Sequence, residues 1–123
     1  MTSKQFRALT PEQQRITVAE LAGWKYMMPW SEIDRSRWFG LSPDGHRGVE
    51  VPDYLHNLNA MHEAESRCTQ EQRDALYGNI WKLVRSLPST NACQNIENGW
   101  LVYHATAAQR AEAFVITMTE GNE

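Results

Sequence analysis

The sequence predicts a small α+β domain, in which helices pack on a short antiparallel sheet. Three observations lead to this fold class. The chain has 123 residues, which suits a single domain over 1–123. Several segments carry helix-start signals, whereas the segment 24–51 is rich in aromatic and turn residues. A short chain with both kinds of segment is typical of an α+β fold.

Three of the predicted helices begin with one signature, a Thr followed three residues later by a Gln. In this capping box the Thr hydroxyl accepts a backbone N–H, and the Gln side chain reaches back to the amide of the Thr. Another helix is predicted from apolar residues at helical spacing. The predicted helices run from Thr10 to Ala22, from Pro52 to Arg67, from Thr69 to Leu87 and from Thr106 to Met118.

A hairpin is predicted in the aromatic segment. Pro43-Asp44-Gly45 is a strong turn signal between strand-forming residues. It predicts strands around Trp38–Leu41 and Gly48–Val51. A further strand is predicted at Trp100–His104, after a polar loop over 89–99.

Charge and composition exclude several classes of protein. The chain has 12 basic and 15 acidic residues, with a net charge of -3 and a pI near 5.8. Nucleic-acid-binding domains usually carry a strong basic excess instead. No apolar run approaches the ~18–20 residues of a membrane span, and the first residues lack a secretory signal. We therefore expect a cytoplasmic protein that binds neither nucleic acid nor membrane.

Motifs for catalysis are also missing from the sequence. Cys68 and Cys93 lack CxxC spacing, so we expect free thiols rather than a disulfide or a zinc site. There is no nucleophile elbow, P-loop or GxGxxG pattern. The sequence therefore predicts no enzyme activity, no cofactor and no bound metal.

Three stretches of the sequence resemble one family of short phage and prophage proteins. The longest is Val51–Glu65, and the others are Ala105–Phe114 and Glu20–Lys25. Together they are similar to the phage ABA sandwich domain family. The resemblance implies a helix–sheet–helix sandwich in a phage-encoded protein of the host cytoplasm, and it implies no particular activity. The chain departs from the family pattern at Asn57, where an acidic residue is expected, and in a longer segment over Met27–Arg37.

A polar cluster on the helix predicted over 52–67 is the first candidate site. His62 and Glu65 share a face with apolar residues, and each buried polar group costs roughly 1–3 kcal/mol unless it is paired. The cluster is therefore either a structural network or the lining of a pocket. A pocket of this chemistry suits a nucleotide-like ligand, with Arg110 on a phosphate. The candidate ligand-binding residues are Tyr54, Asn59, His62, Glu65, His104 and Arg110.

A metal-assisted hydrolase is an alternative use of the same cluster. It would require His62, Glu65 and His104 as metal ligands. The sequence His-Glu-Ala-Glu over 62–65 lacks the second histidine of an HExxH helix, so the motif is incomplete.

Aromatic and methionine residues form a second candidate surface. The apolar run Tyr26–Trp30, which includes Met28, is hard to bury at Trp30 and predicts an exposed apolar patch that docks a protein. Tyr77 and Trp81 lie one helical turn apart and form either a second contact strip or a dimer face. The tryptophans expected in the core are Trp24, Trp38, Trp81 and Trp100.

The sequence thus predicts an accessory binding protein of a phage. It would inhibit or sequester a host factor, either a protein such as a defence component or a small nucleotide-like signal. The metal-assisted hydrolase and a structural phage interaction protein are the alternatives, and the latter predicts a closed homo-oligomer.

Overall fold

A computed structural model describes residues 1–85 and 105–120 of the chain. In these residues it contains five helices and a three-stranded antiparallel sheet, which confirms the α+β class. Four features of the sequence analysis lie outside them: the helix end predicted at Leu87, the loop over 89–99, Cys93 and the strand at Trp100–His104. The elements are α1 Ser3–Ala8, α2 Pro11–Leu21, β1 Lys25–Pro29, β2 Trp38–Leu41, β3 Val49–Glu50, α3 Leu58–Ser66, α4 Gln70–Arg85 and α5 Ala107–Glu120.

Capping boxes open four of these helices. In each, the Thr hydroxyl accepts the backbone N–H of the Gln at 3.1–3.2 Å, and the Gln side chain accepts the amide of the Thr at 2.8–3.0 Å. The starts predicted at Thr10, Thr69 and Thr106 are therefore confirmed. Helix α1 was not predicted, although Thr2 and Gln5 carry the same signature.

Helix α3 begins later than the sequence predicts. The expected start near Pro52 is wrong, because Asn57 caps the helix and its side chain accepts the N–H of Ala60 at 3.1 Å. The carbonyl of Asp53 instead accepts the N–H groups of His56 and Asn57, at 3.1 and 2.8 Å, within a turn. Tyr54 and Leu55 of this turn are buried, and they continue the apolar spacing of α3 towards the N-terminus, which suggests an earlier helix start.

Helix α5 is the centre of the helical packing, since it packs against α1, α2, α3 and α4. Five of its apolar residues are almost completely buried: Ala107, Ala111, Ala113, Phe114 and Val115. Two charged residues of α5 are buried as well, and both are paired. Glu112 accepts from Arg7 at 2.6 Å, and Arg110 donates to Glu65 at 2.6 Å. Helix α5 therefore organises the core while keeping its charges satisfied.

The sheet has the strand order β1-β2-β3, and it includes the predicted hairpin as β2 and β3. Strand β1 was not predicted. Its pairing with β2 shifts between Lys25 and Met28, where Tyr26 has a φ of 55°. A β-bulge of this kind removes the regular alternation that marks a strand in a sequence.

Arg15 joins helix α2 to the loops that flank the sheet. Its guanidinium donates to the carbonyls of Ser36, Val51 and Pro52, and the bond to Ser36 measures 2.5 Å. Three backbone acceptors on one side chain fix the hairpin against the helical core.

Gly40 permits the close approach of β1 to β2. A Cβ atom at this position would lie 2.9 Å from the carbonyl oxygen of Lys25 and 2.9 Å from Cγ of Met27. Because the first of these atoms belongs to the backbone, it cannot move aside cheaply.

We expect Gly40→Ala to lower the free energy of unfolding by about 1–3 kcal/mol, since the added methyl group forces β1 away from β2. Urea denaturation measures the change. The matched control is Gly78→Ala in the interior of α4, where a Cβ meets nothing within 4 Å. This control should raise stability by about 0.5–1 kcal/mol. Equal effects of the two changes would contradict the close packing at Gly40.

Candidate functional site

The sheet has one face on the protein core and one face that lines a cavity. The packed face contributes Met27, Trp38 and Val49 to the core. The opposite side lines an open cavity of about 720 Å³. We call this side the outer face, and its apolar side chains are Tyr26, Met28, Trp30, Phe39 and Leu41.

The outer face is unusually apolar for an exposed surface. An antiparallel sheet with one covered face normally carries polar side chains on the other. Here Tyr26 is 81% exposed, Met28 is 68% exposed and Trp30 is 63% exposed. A contiguous apolar patch of this kind is typical of an interaction surface.

Aromatic contacts give the cavity a defined wall. The ring centroids of Trp30 and Phe39 are 5.3 Å apart, with a tilt of 49° between the planes. The guanidinium of Arg37 lies 5.5 Å from the Trp30 centroid and 5.3 Å from the Phe39 centroid. Arg37 also donates to Glu50 on β3 at 2.9 Å. The Arg37 charge is therefore held against the rings and neutralised by a neighbouring carboxylate.

Arg47 contributes a second cation to the cavity lining. Its side chain is exposed, and it makes no hydrogen bond or ion pair within residues 1–85 and 105–120. The outer face thus combines apolar and aromatic side chains with one available positive charge.

The predicted docking residues fall on two separate elements. Met28 and Trp30 belong to the outer face and its exposed cavity. Tyr77 and Trp81 belong to α4, where Tyr77 is half exposed and Trp81 is partly buried. Tyr26 lies in the apolar run Tyr26–Trp30 that the sequence analysis named as a docking patch, whereas Phe39, Leu41 and Arg47 of the outer face were missed.

The polar cluster on α3 forms a buried ion pair with α5. Nη1 of Arg110 donates to Oε1 of Glu65 at 2.6 Å, and these residues are only 3% and 7% exposed. The exposed His62 places Nδ1 at 3.9 Å from Oε2 of Glu65. Burial raises the pKa of Glu65, while the charges of Arg110 and His62 oppose that shift.

The other predicted ligand-binding residues do not join this network by hydrogen bonds or ion pairs among the residues that the structure describes. The hydroxyl of Tyr54 instead accepts a hydrogen bond from Nε1 of Trp24 at 2.8 Å inside the core. Asn59 is exposed on α3, and His104 lies outside the described ranges. The contacts that the structure shows among these candidates are therefore the ion pair of Glu65 with Arg110 and the approach of His62 to Glu65.

Residues 1–85 and 105–120 contain no cluster of three or more acidic, histidine or cysteine side chains that could hold a metal ion. Cys68 is buried and free, as predicted, and burial raises the pKa of its thiol. A protonated buried thiol is a poor nucleophile. No helix in this part of the chain is long and apolar enough to cross a membrane.

Comparison with known proteins gives no match to a family model, a curated protein or a solved structure. The resemblance to the phage ABA sandwich domain family therefore stays a prediction from the sequence. Functional inference for this chain depends on the chemistry of the outer face and of the Glu65–Arg110 pair.

Removal of Arg110 should destabilise the protein strongly. We expect Arg110→Met to lower the free energy of unfolding by about 3–5 kcal/mol, because Glu65 is left buried without its cation. The double variant Glu65→Met, Arg110→Met should recover most of that loss. Chemical denaturation measures both variants. Glu12→Gln, which breaks the exposed 2.9 Å pair of Glu12 with Arg35, is the control and should cost less than about 1 kcal/mol.

The loss in the free energy of unfolding caused by Arg110→Met should also depend on pH. Without the positive charge of Arg110, the pKa of Glu65 in the folded state rises further. A carboxyl whose pKa is raised by folding binds its proton more tightly in the folded state, so its contribution to stability decreases as pH increases. The difference in the free energy of unfolding between Arg110→Met and wild type should therefore be largest at about pH 7 and smaller at about pH 5.5. A deficit that grows on acidification would contradict this account.

Proposed function

We propose that this protein is a phage-encoded accessory protein that binds a host protein through the outer face and thereby inhibits or sequesters it. The observation that carries the proposal is the solvent exposure of Tyr26, Met28 and Trp30 around one cavity. Tyrosine, tryptophan, methionine and arginine are the residue types enriched at protein interfaces. The phage origin is supported by the sequence resemblance alone.

A protein partner is favoured over a nucleotide-like signal by the electrostatics. Arg110 was the residue expected to bind a phosphate, but it donates to Glu65 and is almost completely buried. A phosphate there would have to displace a carboxylate at 2.6 Å and enter the core. The outer face needs no such rearrangement, because its apolar side chains are already exposed.

The exposed outer face suits inhibition in which the protein covers a surface of its partner. Binding through a preformed surface requires no catalytic group, and a tight complex blocks whatever surface of the partner it covers. Aromatic anchors such as Trp30 concentrate binding energy in few contacts. One protein of this size can therefore neutralise a host factor, for example a component of host defence, at a stoichiometric ratio.

The proposal is tested by affinity capture from a bacterial lysate with wild type, Trp30→Ala and Tyr77→Ala. A partner that uses the outer face should be retained by wild type and by Tyr77→Ala, and lost with Trp30→Ala. Calorimetry with the purified partner should then show a loss of about 2 kcal/mol or more, or roughly 30-fold in Kd, for Trp30→Ala.

Thermal unfolding of the two variants is the control for folding. Trp30 and Tyr77 are both substantially exposed, so neither change should disturb the core. A partner that is lost only with Tyr77→Ala would assign docking to α4 instead. Binding that is equal in all three proteins would refute docking through the outer face.

A further inference from the structure

The cavity on the outer face accommodates more than a single side chain. Its volume of about 720 Å³ lies within the roughly 300–1,000 Å³ of pockets that bury a ligand of drug size. Its walls are the rings of Tyr26, Trp30 and Phe39 together with Met28 and Leu41. A partner therefore fills it with two or more adjacent apolar side chains.

The charges around the cavity determine which charged residues of the partner are favoured beside its apolar side chains. Arg47 lines the cavity without an ion-pair partner in the described parts of the chain. Arg37 lies over the rings, and its charge is matched by Glu50 at 2.9 Å. A carboxylate on the partner gains a charge-assisted contact with Arg47, whereas a cation at the same place is repelled by the Arg47 guanidinium.

A second copy of this chain is a poor match for the same surface. Glu50, on the strand β3 of the same sheet, is already bound by Arg37. Two outer faces stacked about a two-fold axis would thus present Arg47 from each copy, while Glu50 of each copy stays bound to Arg37. Extension of the sheet at β1 is also disfavoured, because Pro29 has no N–H to donate to an added strand.

We infer that the outer face recognises an acidic apolar segment of its protein partner, with adjacent bulky apolar side chains in the cavity and a neighbouring carboxylate on Arg47. This inference rests on the proposed function, since it specifies the chemistry of the partner that docks there. The apolar side chains supply affinity, and the carboxylate fixes the register of the segment along the sheet.

Two fluorescent probes separate the apolar contribution from the ionic one. 8-Anilinonaphthalene-1-sulfonate and N-phenyl-1-naphthylamine share the same aromatic groups and differ by one sulfonate, which stands for the carboxylate. Wild type should bind both, with the sulfonate preferred by about threefold to tenfold. Trp30→Ala should weaken both probes, whereas Arg47→Gln should remove only the preference.

A pair of capped hexapeptides then tests for a protein segment. The peptide GDLFDG should displace the sulfonate probe at a concentration about threefold to tenfold lower than its neutral counterpart GNLFNG, and Arg47→Gln should abolish that difference. Lys82→Gln on α4 is the matched control, because it removes an exposed cation outside the sheet. The control should bind both probes and both peptides as wild type does.

Each contrary outcome overturns the inference in a distinguishable way. Binding of both probes without a sulfonate preference would reject the acidic partner and leave the docking surface of the proposed function in place. A preference for the sulfonate without displacement by either peptide would identify a small aromatic anion as the occupant. A dimer of wild type that Trp30→Ala converts to a monomer would identify a second copy, and failure of both probes to bind would exclude the cavity as a binding site.

Discussion

The ion pair between Glu65 and Arg110 is the constraint around which the helices are arranged. The two charges come from α3 and α5, and neither can remain buried unless it faces the other. A pair of this kind fixes the register of two helices more than it adds to stability, because desolvation offsets most of the attraction. The short connection at Arg67–Thr69 leads from α3 into α4, which also packs against α5.

The sheet is attached to this helical body and differs from it in character. Helix α5 is largely buried by the helices that pack around it, whereas the outer face has large apolar side chains in contact with solvent. Three local features limit uncontrolled pairing of this exposed sheet with other chains. The bulge at Tyr26 twists β1, Pro29 interrupts its free edge, and Arg37 covers two rings. Natural sheets use such devices against uncontrolled edge pairing, so this surface is compatible with a selective partner.

The sequence predicted features that depend on neighbouring residues, and it did not predict contacts between residues that are far apart along the chain. Capping boxes are complete within four residues, so three helix starts were predicted correctly, and the same signature at Thr2 and Gln5 opens the unpredicted α1. Asn57 is also a local signal, but apolar residues before it suggested a longer helix. The pairing of Glu65 with Arg110, separated by 45 positions, could not be derived from spacing. The exposure of Trp30 was predicted beside Pro29, whereas its contact with Phe39 required the register of β1 on β2.

The thioether of Met28 at the centre of the outer face has a consequence for the range of partners. Methionine is unbranched and polarisable, so it changes rotamer to follow the shape of whatever apolar group it touches. Surfaces built on such residues tolerate variation in their targets, as multispecific binding proteins do. In the proposed complex, a partner that replaces one aliphatic side chain with another would therefore lose little affinity for the outer face.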